Sequence, residues 1–159
     1  SGRVITSTTM SSYETGTWVP ILEFRDGNAG SIAYTSQRFG SYVKIGRSVQ
    51  ITARVGWDAN NITDSQGAFC MKGLPFTVSG NEGERGGAAI TYSEEIVTNV
   101  PDVNSMAFRG ELNRKHMIFN YARLNGSGLA VGLIEQLSNT ANLSSSGGFI
   151  LFGHYQTDE

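Results

Sequence analysis

One cysteine, three prolines and two histidines occur in 159 residues, and each scarcity removes a class of chemistry. A single thiol, Cys70, excludes an internal disulfide and every multi-cysteine zinc pattern. Its setting in AFCMKG reads as a small buried hydrophobe. His116 and His154 fall in separate predicted strands with no second histidine, cysteine or acid at ligand spacing, so neither a metal site nor a cofactor is expected. Charge is also short. Asp, Glu, Lys and Arg make up 16% of the chain, against a usual share of about 25%. The 12 basic and 14 acidic residues are mixed along it, with a net charge of −2. No clustered basic field serves a nucleic acid or an anionic membrane surface. No apolar run approaches the ~20 residues of a membrane span, so membrane insertion is not expected. The opening SGRVITSTTMSS lacks the apolar centre of a signal peptide.

What the chain has in quantity is glycine, at 20 residues, together with Ser, Thr and Asn. That mixture suits strands and turns better than helices. Alternation with period two is clearest from 47 to 57, where Val49, Ile51, Ala53, Val55 and Trp57 share one face. This predicts a long antiparallel strand with one side toward a core. Further strands are predicted over Trp18 to Phe24, Ser31 to Ser36, Phe39 to Ile45, Ala68 to Lys72, Ala88 to Tyr92, Met106 to Leu112, Met117 to Ala122 and Gly148 to Tyr155. Turn-forming DGNAG, NN, SGNEGERGG and NGSG separate them. Leu129 to Leu137 has the apolar run of a short helix, weakened by Gly132, and is left open. Eight or nine short strands imply an antiparallel, all-β sandwich of jelly-roll type, with a barrel as second choice. Residues 1–12 read as a linker or the remnant of something longer, and 13–159 as one domain. A chain of this size buries roughly 70% of its extended surface, enough for a core without staples.

Catalytic patterns are sparse. No G-x-S-x-G elbow occurs, and no serine is marked as activated by a base. The segment 79–87, SGNEGERGG, lacks the Lys and Ser/Thr of a phosphate cradle, carries Glu82 and Glu84, and reads as a mobile surface loop. Glycoside cleavage needs two carboxyls about 5 to 9 Å apart. Glu94 and Glu95, adjacent in sequence, are expected on opposite faces of a strand. Asp58 and Asp64 flank the loop NNIT and are the remaining pair, read foremost as solvated turn formers. The three N-x-S/T matches, at Asn61, Asn125 and Asn142, are what an Asn- and Ser-rich chain produces by chance.

Binding is better supported than catalysis, because aromatic faces and short polar side chains hold sugars. The leading carbohydrate-binding constellation is Trp57 with Asp58, Asn60 and Asn61 at a strand-to-loop junction, and the second is Tyr92 with Ser93 and Glu94. In each case the aromatic has a plain alternative, as part of the core.

Four segments in order carry a family likeness: YETGTWVPILEF at 13–24, YTSQRFGSYVKIGRSVQITARV at 34–55, GLPFT at 73–77 and GGFILFGHYQT at 147–157. Together they resemble a C-terminal domain of bacteriophage tail fibre and tailspike proteins. The matching positions are Tyr13, Glu14, Gly16, Thr17, Trp18 and Pro20; Tyr34, Gln37, Gly40, Tyr42, Lys44, Ile45 and Gly46; Gly73, Leu74, Pro75 and Phe76; and Gly153, Tyr155 and Thr157. The resemblance implies a β-sandwich in a homotrimeric virion fibre, joined to upstream fibre domains. Its implied role is trimer assembly, recognition of bacterial surface polysaccharide or lipopolysaccharide, or both. With no catalytic constellation in the chain, catalysis is not expected here, and the alternative is a purely structural trimerisation cap with any glycan depolymerase activity in an upstream domain. The motif residues are mainly Gly, Pro and aromatics, so they are expected to set the fold and not to touch a ligand.

Overall fold

The computed structural model describes residues 12–124 and 134–159. The strands are β1 (Tyr13–Trp18), β2 (Ile21–Phe24), β3 (Gly27–Ala29), β4 (Ile32–Ile45), β5 (Ser48–Asn60), β6 (Asp64–Gln66), β7 (Phe69–Lys72), β8 (Gly87–Ser93), β9 (Val103–Gly110), β10 (His116–Arg123), β11 (Ile134–Gln136) and β12 (Gly147–Gln156). Two 3₁₀ turns, Glu82–Glu84 and Thr140–Asn142, are the only helical pieces among the described residues. Among the described residues no helix is long and apolar enough to cross a membrane.

The all-β, antiparallel class is as expected. The strands do not, however, divide into the two facing hydrogen-bonded sheets of the expected sandwich. One ten-stranded sheet runs in the order β1-β4-β5-β12-β8-β9-β10-β7-β2, with β11 added to β10, and β3 and β6 form a small ribbon beside it. The two ends of this path, β1 and β2, are separated in the chain by only Val19 and Pro20, so the sheet is curled until its ends approach. Side chains of β4 reach across this seam. The Tyr34 hydroxyl accepts from the Leu22 N–H at 2.7 Å and Arg38 Nε donates to the Pro20 carbonyl at 2.7 Å. The Arg38 guanidinium lies 3.8 Å from the centre of the Tyr34 ring.

Alternation in β5 buries the face read from the sequence, Val49 through Trp57. A single cluster draws on strands all around the curl. Within it aromatic rings follow one another from β5 to β2: Trp57 to Phe149 at 6.4 Å, Phe149 to Phe108 at 5.3 Å, Phe108 to Phe119 at 5.4 Å, Phe119 to Phe69 at 6.0 Å and Phe69 to Phe24 at 5.5 Å. Tilted and edge-on pairs of this kind add roughly 0.5–1.5 kcal/mol each beyond the area they bury.

Several boundaries differ from expectation, each for a local reason. The strand expected over Trp18 to Phe24 is broken at Pro20, which has no N–H to give a ladder. The two strands expected over Ser31 to Ser36 and Phe39 to Ile45 are one strand, β4, interrupted by a bulge: Tyr34 pairs with Trp57 and Arg38 with Val55. The segment 79–87 is anchored. Asn81 caps the 3₁₀ turn through Gly83 N–H, and Glu84 accepts from Arg47 at 2.6 Å and from the Ser79 hydroxyl at 2.8 Å. β3 and β6 went unread because Gly27 and Asn28 in the one and Asp64 and Ser65 in the other look like turn. Of the segment left open, Ile134–Gln136 is strand β11; its earlier residues and Asn125 lie outside the described residues, as do residues 1–11.

Family-motif positions far apart in sequence meet as core and turn contacts. Gly40 packs under the Trp18 indole, where an added Cβ would come within 2.4 Å of Nε1. Tyr42 covers Gly16, donates to Glu14 Oε1 at 2.5 Å and stands edge-on to Phe76 at 5.3 Å. Buried Tyr155 accepts from the Phe76 N–H and donates to the Phe76 carbonyl, both at 3.2 Å. Gly46, with φ of 58°, takes the first central position of the two-residue β4–β5 hairpin, as a type II′ turn needs.

Candidate functional site

A cleft of about 510 Å³ opens on the outer side of the sheet, where the β4 bulge passes over β5 and β12. Its floor is hollow because the paired residues Gly148 and Gly56 both lack side chains, and Gly147 beside them lacks one too. An added Cβ at Gly147 would strike the Glu95 carbonyl at 1.9 Å, and one at Gly56 would meet the Thr35 hydroxyl at 2.8 Å. The bulge turns Thr35, Ser36 and Gln37 into one wall, and Asp58, Glu94 and Glu95 form the other. Adjacent acids in a continuous strand would diverge. Here β8 ends at Ser93 and the chain bends, so both glutamates line the cleft, against expectation. The Glu94 N–H donates to the Gly148 carbonyl at 2.8 Å and fixes that bend.

Two contacts border the cleft. Arg54 Nε donates to Gln37 Oε1 at 2.8 Å, and the Tyr92 hydroxyl donates to Glu94 Oε1 at 3.4 Å. Glu95 also lines a second, shallower hollow of about 390 Å³ with Asn60, Thr98, Thr140 and Ser144. Carboxylates, a hydroxyl and an amide thus face solvent over connected hollows, a donor and acceptor set suited to a hydroxyl-rich ligand.

The structure sorts the sequence-read candidates. Asp58 lines the cleft and exposed Tyr92 stands at its border. Trp57 contributes only an edge. Its indole is 1% exposed, packs on Phe149 and donates to the Ser144 carbonyl at 3.2 Å, so its face is not free for a sugar ring. Asn60 lines the second hollow and clasps its loop, accepting from the Ile62 N–H at 3.1 Å. Asn61 borders neither hollow and supplies its N–H to the Ser31 carbonyl at 3.0 Å. Asp64 sits in the β3–β6 ribbon and does not line the cleft with Asp58. Thr35 was not singled out in the sequence; Gln37 entered there only as a family-motif position expected to set the fold, and Glu95 only as an acid expected to diverge from Glu94, yet both line the cleft. The break between the two strands expected across 31–45 was the one trace of the bulge that presents them.

Other reactive groups serve the fold. Burial pushes the Cys70 thiol up to about 12, which leaves it protonated and inert. His116 in β10 is buried against Glu111, and His154 in β12 faces Ser48 Oγ at 2.9 Å. Among the described residues no group of three His, Cys, Asp or Glu gathers at metal-binding distance.

No family model matches the chain and no curated protein matches it. One solved structure is similar in fold: the crystal structure of Dettilon tailspike protein (gp208), with a TM-score of 0.61 and 19% identity over 91% of this chain. The match spans 24% of that tailspike's length. The likeness shows that this curled sheet is a fold found within a phage tailspike.

Proposed function

We propose that the chain is a non-catalytic recognition domain of a phage tail fibre or tailspike, a virion tail component that binds host-surface carbohydrate and helps the fibre trimerise. The observation that carries this reading is the polar cleft of Thr35, Gln37, Asp58, Glu94 and Glu95, built on a fold that a tailspike shares. Sugar hydroxyls donate well to carboxylates, and such charge-assisted bonds are roughly twice as strong as neutral ones. Half-exposed Tyr92 offers an aromatic surface at the rim. Three carboxylates in one cleft repel an anionic ligand. The preferred partner is therefore a neutral stretch of bacterial polysaccharide or lipopolysaccharide, and uronic-acid-rich chains are excluded.

An array of purified bacterial surface polysaccharides tests this. The expected result is selective binding of neutral glycans without shortening of the chains, weakened at least ~10-fold, or about 1.4 kcal/mol, by Glu94→Gln with Glu95→Gln. Unchanged binding by that variant, or a preference for acidic polysaccharides, contradicts it. A second reading, an assembly cap without sugar contact, is favoured by an outer sheet face of exposed apolar side chains whose rows carry one charge, Arg54.

A further inference from the structure

Seven large hydrophobic side chains stand exposed among the described residues, and six gather on one outer face: Tyr13, Val19, Phe39, Ile45, Tyr92 and Phe152, each 50–57% exposed. Strand register places them together. Phe39 pairs with Arg54, Arg54 with Ile150 and Ile150 with Tyr92, a row across β4, β5, β12 and β8. Two residues along, Ser41, Thr52 and Phe152 form the next outward row, and Tyr13 pairs with Ile45 at the far end. Val19 joins Phe39 and Ile150 around an apolar hollow of about 680 Å³. Strand spacing and rise give this face about 20 Å in each direction.

The six side chains present on the order of 500 Å² of apolar surface, at the upper end of what a free monomer shows. With the Ser and Thr rows between them, they approach the roughly 800 Å² that each partner contributes to a standard interface. In these rows the only Asp, Glu, Lys or Arg is Arg54, whose Nε is occupied by Gln37. The face also runs into an open sheet edge. β1 ends the strand path, and of the charged groups and prolines that guard solvent-facing edges its sequence YETGTW has only Glu14, which accepts from Tyr42.

We propose that this face, with the β1 edge, is where copies of this chain associate, each covering the apolar rows of the next. A face with a single charge docks on a different patch of the next copy, the heterologous contact a ring of three requires, without the like-charge clash that a heavily charged one carries into self-association. One arginine is too little basic charge for an anionic membrane surface, and a glycan calls for the polar groups that the cleft holds. The acidic cleft lies beyond the Arg54 row, and Tyr92 at the end of that row borders both surfaces. The inference deepens the assembly half of the proposed function, and does not depend on the glycan half.

Sedimentation equilibrium of the full chain, alone and with Phe39→Lys plus Phe152→Lys, tests it. The wild type is expected as an oligomer, a trimer under the reading above, and the double variant as a 17.1 kDa monomer with unchanged near-ultraviolet circular dichroism. Leu124→Lys, which charges the one exposed hydrophobic off this face, is expected to leave the oligomer intact. Should the double variant misfold, Thr52→Lys at the centre of the face takes its place. A wild type that is monomeric at every concentration overturns the proposal, whether or not another protein binds the face. So does an oligomer that survives the charges. Glycan binding retained by the monomeric variant separates the two halves of the reading, because the cleft then works without the interface.

Discussion

Two side-chain pairs show how motif residues from distant segments fix this fold. Tyr155 is fully buried, and its hydroxyl is the partner of both the N–H and the carbonyl of Phe76. Burial also holds the phenol far above its ordinary pKa, so it remains a neutral donor at any working pH. Tyr155→Phe keeps the ring but leaves those two backbone groups without this partner. It is expected to cost about 1–3 kcal/mol, read as a lower urea midpoint at unchanged slope. Gly40 carries the opposite constraint. An added methyl would meet the Trp18 ring at 2.4 Å and the Thr52 carbonyl at 2.9 Å, so Gly40→Ala is expected to destabilise by about 1–3 kcal/mol through overpacking. Trp18 fluorescence is expected to shift with it. A neutral outcome at Gly40 would mean that the indole has room to move. The sequence signalled both positions as fold determinants, while their partners were invisible until distant strands were placed side by side.

At the scale of elements, the β4–β5 hairpin is tied to the C-terminal residues through Arg47. Arg47 Nε donates to the Thr157 carbonyl at 3.0 Å, and its terminal nitrogens reach Glu84 and Asp158. Arg47 and Ser79 hold the Glu84 carboxyl below its ordinary value of 4.5, while the Gly80 N–H and Arg47 hold Asp158 below 3.8. Both folded values lie under the unfolded ones. Their contribution to stability is therefore present above the unfolded values and lost as pH falls through the folded ones. Arg47→Met is expected to lower the Tm at pH 7, with the gap to wild type closing as the pH is taken well below 3.8. A gap constant with pH would place the effect in packing of the arginine stem. Most strands were legible because alternation marks a half-buried strand regardless of its neighbours. The bulge at 35–37 was not, since an interruption in alternation reads equally as a turn between two strands. The bend after Ser93 was not legible for a similar reason: where a strand stops decides whether Glu94 and Glu95 diverge or share a cleft.

For the whole molecule, curling one sheet until β1 and β2 approach separates its surfaces by chemistry. The inside holds the aromatic series, one outer face carries the apolar rows with Arg54 as their one charge, and the cleft beside it carries the acids. Composition already pointed to a strand-rich, weakly charged chain, and the family motifs pointed to a tail-fibre domain. Neither located a ligand site, because the cleft is made of residues from β4, β5, β12 and the segment after β8, which only sheet order brings together. The most direct test of the account is the chemical-shift map of the ¹⁵N-labelled chain titrated with a neutral oligosaccharide cut from a polysaccharide that the array selects. The expected result is saturable shifts at Thr35 to Gln37, Gly56 to Asp58, Tyr92, Glu94, Glu95 and Gly147, with Tyr13, Phe39, Ile45 and Phe152 of the outer apolar face unmoved. Shifts confined to any other surface, or none at saturating ligand, would contradict the assignment of this cleft to carbohydrate.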